Sequence, residues 1–141
     1  MTAIATIAAG LFAGAALYVT VAEHPGRMEC GPAVALREFG PSYRRAAVMQ
    51  VILAVAGCGA GVAAWARGAG GGWLVGALLL GALIPFTLLV IMPVNHRLLD
   101  ATLDRESPDA VELLTRWGRL HAIRTAVSVA VFVVLVGLAL G

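Results

Sequence analysis

Lysine is absent from this 141-residue chain, and charge of either sign is scarce: ten arginines and eight acidic residues make up 13% of it. A soluble domain carries about a quarter charged residues. With 60% hydrophobic residues and a mean hydropathy of +0.91, a small globule could not hide its apolar surface from water. The formal charge of +2 is too small to suggest a nucleic-acid partner, and no basic tract is present. Two cysteines, Cys30 and Cys58, are too few for a disulfide framework and show no metal-type spacing. Met1 to Ala22 contains no basic residue, and its apolar stretch is longer than a signal-peptide core. It is expected to be a retained first helix.

What is present is four apolar runs of about 20 residues: 3–22, 46–66, 73–92 and 122–140. At 1.5 Å per residue each is long enough to cross a ~30 Å hydrocarbon core. In lipid, a lone segment satisfies its backbone only as a helix. The sequence therefore predicts an all-α, integral membrane four-helix bundle, a single transmembrane domain over residues 1–141. Gly10, Gly14 and Ala15 in the first run, and Gly57, Gly59 and Gly61 in the second, are suited to close helix approach and to a homo-oligomer. Pro85 is expected to kink the third helix.

Two long polar connections, 23–45 and 93–121, lie on one side of the bilayer because an even number of spans separates them. Together with the start of the fourth span they hold nine of the ten arginines. The positive-inside rule places them in the cytoplasm and both termini outside the cytoplasmic membrane. Short helices are expected within both, over 32–40 and from Ser107-Pro108-Asp109 through Trp117, the latter with Ser as N-cap and Pro at the first position. The exits Glu23-His24-Pro25-Gly26-Arg27 and Pro93-Val94-Asn95-His96-Arg97 echo one another, too weakly in residues to establish a duplication.

Four helix ends converge on this side, and with them all three histidines. Trp117, His121 and Arg124, at i, i+4 and i+7, share one helix face. Tyr18, Glu23 and Arg124 lie near the hydrocarbon boundary, where an ionisable group is costly unless paired. Glu23 is the expected partner of Arg124. The plainer alternatives are interfacial anchoring for Trp117 and Arg124 and solvated loop positions for His96 and Arg97. Jointly, Glu23, His24, Asn95, His121 and Arg124 are the candidate catalytic residues, with Tyr18, Trp117 and Arg97 as candidate substrate contacts.

Gly10-Leu11-Phe12-Ala13-Gly14 with Tyr18, then Glu23-His24-Pro25, Pro93-Val94-Asn95 and Trp117-Gly118-Arg119-Leu120-His121-Ala122-Ile123-Arg124 resemble the small membrane proteins of the DUF1772, or anthrone oxygenase-like, family. The resemblance runs from the first helix to the fourth. It implies a four-helix membrane protein and, for some members, a monooxygenase of aromatic polyketide biosynthesis that oxidises an anthrone to an anthraquinone with O2. The partners implied are the lipid bilayer and a hydrophobic aromatic small molecule.

That reaction starts with loss of an acidic C–H proton, and the resulting anion can reduce O2 without a cofactor, so a cofactor-free oxidoreductase is favoured. His121 or His24 would serve as base. Arg124 and Asn95 would stabilise the enolate oxygen, while Trp117 and Tyr18 would stack on the rings. A metal alternative uses His24, His121 and Glu23 as ligands to Fe, Cu or Zn, and the two histidines could also bracket a haem. The non-enzymatic alternatives are a membrane protein binding lipid, quinone or haem, and an accessory subunit of a membrane complex.

Overall fold

The structure, a computed structural model, describes residues 1–141 as four helices: α1 (Thr2–Glu29), α2 (Pro32–Ala66), α3 (Gly71–Leu98) and α4 (Pro108–Leu140). All four are long and apolar enough to cross a membrane. They pack in a ring, each against its sequence neighbours, with α4 closing back on α1. Large aliphatic side chains such as Ile7, Val21, Val48, Ile52 and Leu89 face outward. That is costly in water and natural in lipid.

Small residues hold α2 against α3. A Cβ added at Gly57 would stand 2.6 Å from Leu80 Cδ2, and one at Gly61 would stand 2.8 Å from Ala77 Cβ. Glycine is needed at both places because the facing helix already fills the space. Gly14 and Gly59 meet nothing and face outward.

The helices run well beyond the apolar segments, and this corrects the expected pattern of connections. Residues 32–40 are not a separate short helix but the beginning of α2, which continues through Pro41 to Ala66. The helix begun by Ser107 likewise runs unbroken to Leu140. Ser107 Oγ accepts from the Ala110 N–H at 3.2 Å, the cap expected from the sequence. At the arginine-rich end only residues 30–31 and 99–107 lie between helices. The extensions persist because they bury a second apolar cluster of their own, in which Ala35, Leu36 and Phe39 of α2 join Val94 and Leu98 of α3 and Leu113 and Leu114 of α4. The first cluster, in the glycine-rich half, centres on Phe12, Leu80 and Leu135.

Both α1 and α3 widen into a π turn near the arginine-rich end, at Val19–Glu23 and at Thr87–Ile91. In the first, the His24 N–H reaches back to the Val19 carbonyl. In the second, the Met92 N–H reaches back to that of Thr87. A proline stands two residues after the end of each, Pro25 and Pro93. Proline has no N–H and its ring crowds the carbonyl four residues back; a wider turn just ahead relieves that conflict without breaking the helix. The α-helical segment passes through Pro85, and the π turn follows it at 87–91. Matched on these prolines, Arg27 and Asn95 occupy equivalent places, and both are buried.

Candidate functional site

Between the two apolar clusters lies a cavity of about 120 Å³, several times the space one water needs. Phe12, Ala54 and Leu83 form its inner wall, and Val19, Phe39 and Ile91 border it toward the arginine-rich end. Ala47 and Val51 of α2 face Thr87 and Leu88 of α3 along one side. Val51 and Leu88 are also exposed on the outer surface, so the cavity reaches the lipid-facing side between these two helices.

The polar residues in this apolar enclosure are few and specifically engaged. Trp117, His121 and Arg124 all border it, as their common helix face requires. The Trp117 and His121 rings stack with centroids 4.8 Å apart, and Phe39 meets the indole edge-on at 5.3 Å. His121 Nδ1 is 3.0 Å from Thr20 Oγ1 and 3.4 Å from Thr125 Oγ1. The Thr20 hydroxyl also donates to the Ala16 carbonyl at 3.0 Å. The imidazole is thereby held from one side by α1 while its Nε2 has no partner in the protein.

Asn95 is 1% exposed. Its Oδ1 accepts from Trp117 Nε1 at 2.8 Å, while its Nδ2 has no partner. Arg124 hydrogen bonds to Gln50 and lies over the Phe12 ring at 4.8 Å, with its Nε unpartnered. This replaces the expected pairing of Arg124 with Glu23. Glu23 is held by Arg27, one helical turn along, and by the Ser42 hydroxyl at 2.7 Å. Arg27 also pairs with Glu38 at 2.7 Å and lies 5.7 Å from the Trp117 ring centre. Proximity decides the exchange, since Arg27 and Glu23 share a face of α1 and Ser42 approaches from α2.

Not every residue expected at the site borders the cavity. Tyr18 is 62% exposed and faces outward, because its place on α1 lies off the buried face. Arg97 forms an exposed ion pair with Asp109 at 2.8 Å, tying the end of α3 to the start of α4. His24 is half-buried and packs against Trp117 at 5.1 Å without bordering the cavity. It fits only because residue 118 is glycine, where a Cβ would stand 2.5 Å from its Nε2. Nor do His24, His121 and Glu23 gather as a metal-ligand set; no group of three His, Cys, Asp or Glu does so anywhere in the chain. Both histidines lie against the indole of Trp117.

Thr20, Arg27, Phe39, Ser42, Gln50 and Thr125 emerge only from the structure. Gln50 carried the clearest signal, as an amide within an apolar run, where polar groups are expensive.

A family model described as anthrone oxygenase matches residues 39–134, more than half of the chain. The chain belongs to the anthrone oxygenase family. No curated protein and no solved structure matches it. The matched stretch of this family member contains Phe39, Gln50, Asn95, Trp117, His121 and Arg124, whereas Thr20, Glu23 and Arg27 precede it.

Proposed function

We propose that this protein is a membrane-embedded oxygenase that oxidises a hydrophobic, anthrone-type aromatic with O2 in the cavity between the two clusters. The observation carrying this reading is the grouping of His121, with a free ring nitrogen, and Asn95, with a free amide, in one apolar enclosure.

In the tautomer with Nδ1–H donated to Thr20, Nε2 presents a lone pair to the cavity. It takes the acidic proton from the methylene carbon opposite the anthrone carbonyl. The charge moves to the carbonyl oxygen, where the Asn95 N–H or the Arg124 guanidinium receives it. The electron-rich anion passes one electron to O2, and the radical pair combines to form a C–O bond. The imidazolium protonates the resulting peroxide. Loss of water across the C–H and O–O bonds then leaves a second carbonyl. One O2 is consumed per quinone, with one oxygen atom in the product and the other in water. Trp117 and Phe39 supply aromatic surface for the rings, and the apolar walls keep bulk water from the anion.

The arginine-rich end of the bundle belongs in the cytoplasm on this reading, with both termini outside. A reporter fused within residues 68–71 should then appear outside the membrane; a cytoplasmic signal would reverse the orientation.

The test is O2 uptake by the full-length protein in nanodiscs supplied with an anthrone, beside protein-free discs that report autoxidation. Uptake above that background, one O2 per quinone formed, supports the oxygenase. Saturable binding of the anthrone with no added uptake would make the protein a carrier instead.

A further inference from the structure

A second cleft lies at the arginine-rich end, between the first turns of α2 and the connection after α3. With a volume of about 350 Å³, it is bordered by Arg37 and Arg44 of α2 and by Arg105 of the 99–107 connection. Leucine side chains, among them Leu36 and Leu98, form its floor. None of the three arginines pairs with a carboxylate; the ion pairs of the chain engage only Arg27 and Arg97. The one acidic residue bordering the cleft is Asp100. Its Oδ1 is occupied by the Thr102 backbone N–H at 2.8 Å and the Thr102 hydroxyl at 2.7 Å. Those bonds, the backbone one foremost, hold its carboxyl below the usual value, so it remains an anion committed to its own turn. Three guanidiniums thus face one opening against a single, already engaged carboxylate.

Guanidinium groups match phosphate oxygens in geometry as well as charge. The position fits a membrane-surface ligand. Arg44 stands two residues before the apolar run 46–66, and the cleft opens beyond the ends of the runs 46–66 and 73–92. A leucine floor beneath basic groups suits a ligand with a phosphate above and acyl chains below.

We propose that this cleft binds a phosphate group at the membrane surface, the phosphate of an anionic phospholipid. The site is separate from the cavity around His121 and stands whether or not the protein is an oxygenase.

The probe is phosphatidylglycerol retained by the detergent-solubilised, full-length protein, measured by native mass spectrometry. The variant R37Q/R44Q/R105Q is compared with R45Q/R116Q/R119Q, which removes the same charge from exposed arginines outside the cleft. The cleft variant should bind at least about tenfold more weakly than the control variant, since only it loses directed contacts. Equal weakening in both would show a diffuse charge effect and overturn the proposal, as would no retention by the unaltered protein. Titration with inorganic phosphate separates the sources. Retention that withstands phosphate supports the phospholipid, and full displacement at low millimolar concentration would overturn the lipid assignment in favour of a soluble phosphate.

Discussion

The indole N–H of Trp117 donates to Asn95 Oδ1 at 2.8 Å, across the interface of α4 and α3. That one bond fixes which end of the Asn95 amide faces away from the indole, and so leaves Nδ2 as an uncommitted donor at the cavity. It also joins the third and fourth helices by a polar contact inside an apolar enclosure, where an unmade bond is expensive.

Asn95→Leu should therefore act twice. It orphans the buried Trp117 N–H, a loss of about 1–3 kcal/mol, visible as a lower midpoint of thermal unfolding in detergent. It also removes the cavity donor, so turnover should fall further than the stability loss accounts for. Asn95→Asp retains the acceptor and, as a carboxylate, removes the donor; the buried charge lowers stability as well, and little of the activity should return. Equal activity in both variants and the parent protein would remove Asn95 from the reaction.

His121→Ala should lower anthrone turnover by about 10²–10⁴-fold, the usual contribution of a positioned base, in protein that still elutes as a folded species. Thr20→Val should give a smaller loss. It leaves the imidazole in place but frees its tautomer, so the pH–rate profile should move while binding of the anthrone stays near that of the parent. A Thr20→Val profile superimposable on the parent's would show that Thr20 does not position the ring.

Gln50→Leu deprives Arg124 of its hydrogen-bond partner and leaves the guanidinium over Phe12 alone. A buried charge that loses its partner costs several kcal/mol, so this variant should be less stable than Gln50→Glu, which offers a carboxylate. Thermal unfolding of the two in the same detergent decides the matter; the reverse order would mean that Arg124 escapes to the headgroup layer.

Gly57→Val and Gly61→Val should each destabilise the bundle by about 1–3 kcal/mol through overpacking, because the added atoms would meet Leu80 and Ala77. Gly59→Ala, on the same helix but facing outward, should be silent. Destabilisation by Gly59→Ala of the same size would point to a helix packed on that face, as in an oligomer.

The four spans were legible in the sequence because lipid imposes a length and a composition that little else imitates. The face shared by Trp117, His121 and Arg124 was legible too, since all three lie on uninterrupted α-helix and its period is reliable. The partners of these residues were harder to read. The approach of Ser42 to Glu23 depends on where α1 stands after its π turn, and a proline alone does not announce such a turn, since Pro41 sits within ordinary α-helix. Tyr18 was placed at the site from its depth along the helix, but depth does not specify direction, and it faces outward. Thr20 and Thr125 are small hydroxyl residues whose role comes from contact with His121 across 101 positions of chain in one case and one helical turn in the other.

Each π turn carries one residue more than an α-helix would use at that place, which rotates everything after it by about 100° about the helix axis. Helices α1 and α3 therefore do not have a single inner face. Their glycine-rich halves turn one meridian toward the bundle, and their arginine-rich halves turn another, bringing Arg27 and Asn95 into the wall of the same chamber. A helical wheel drawn through either helix from end to end would blur two sharp stripes into one broad one, and alignment of this chain with relatives without the extra residue needs a gap at 19–23 or 87–91 before any position beyond it can be compared.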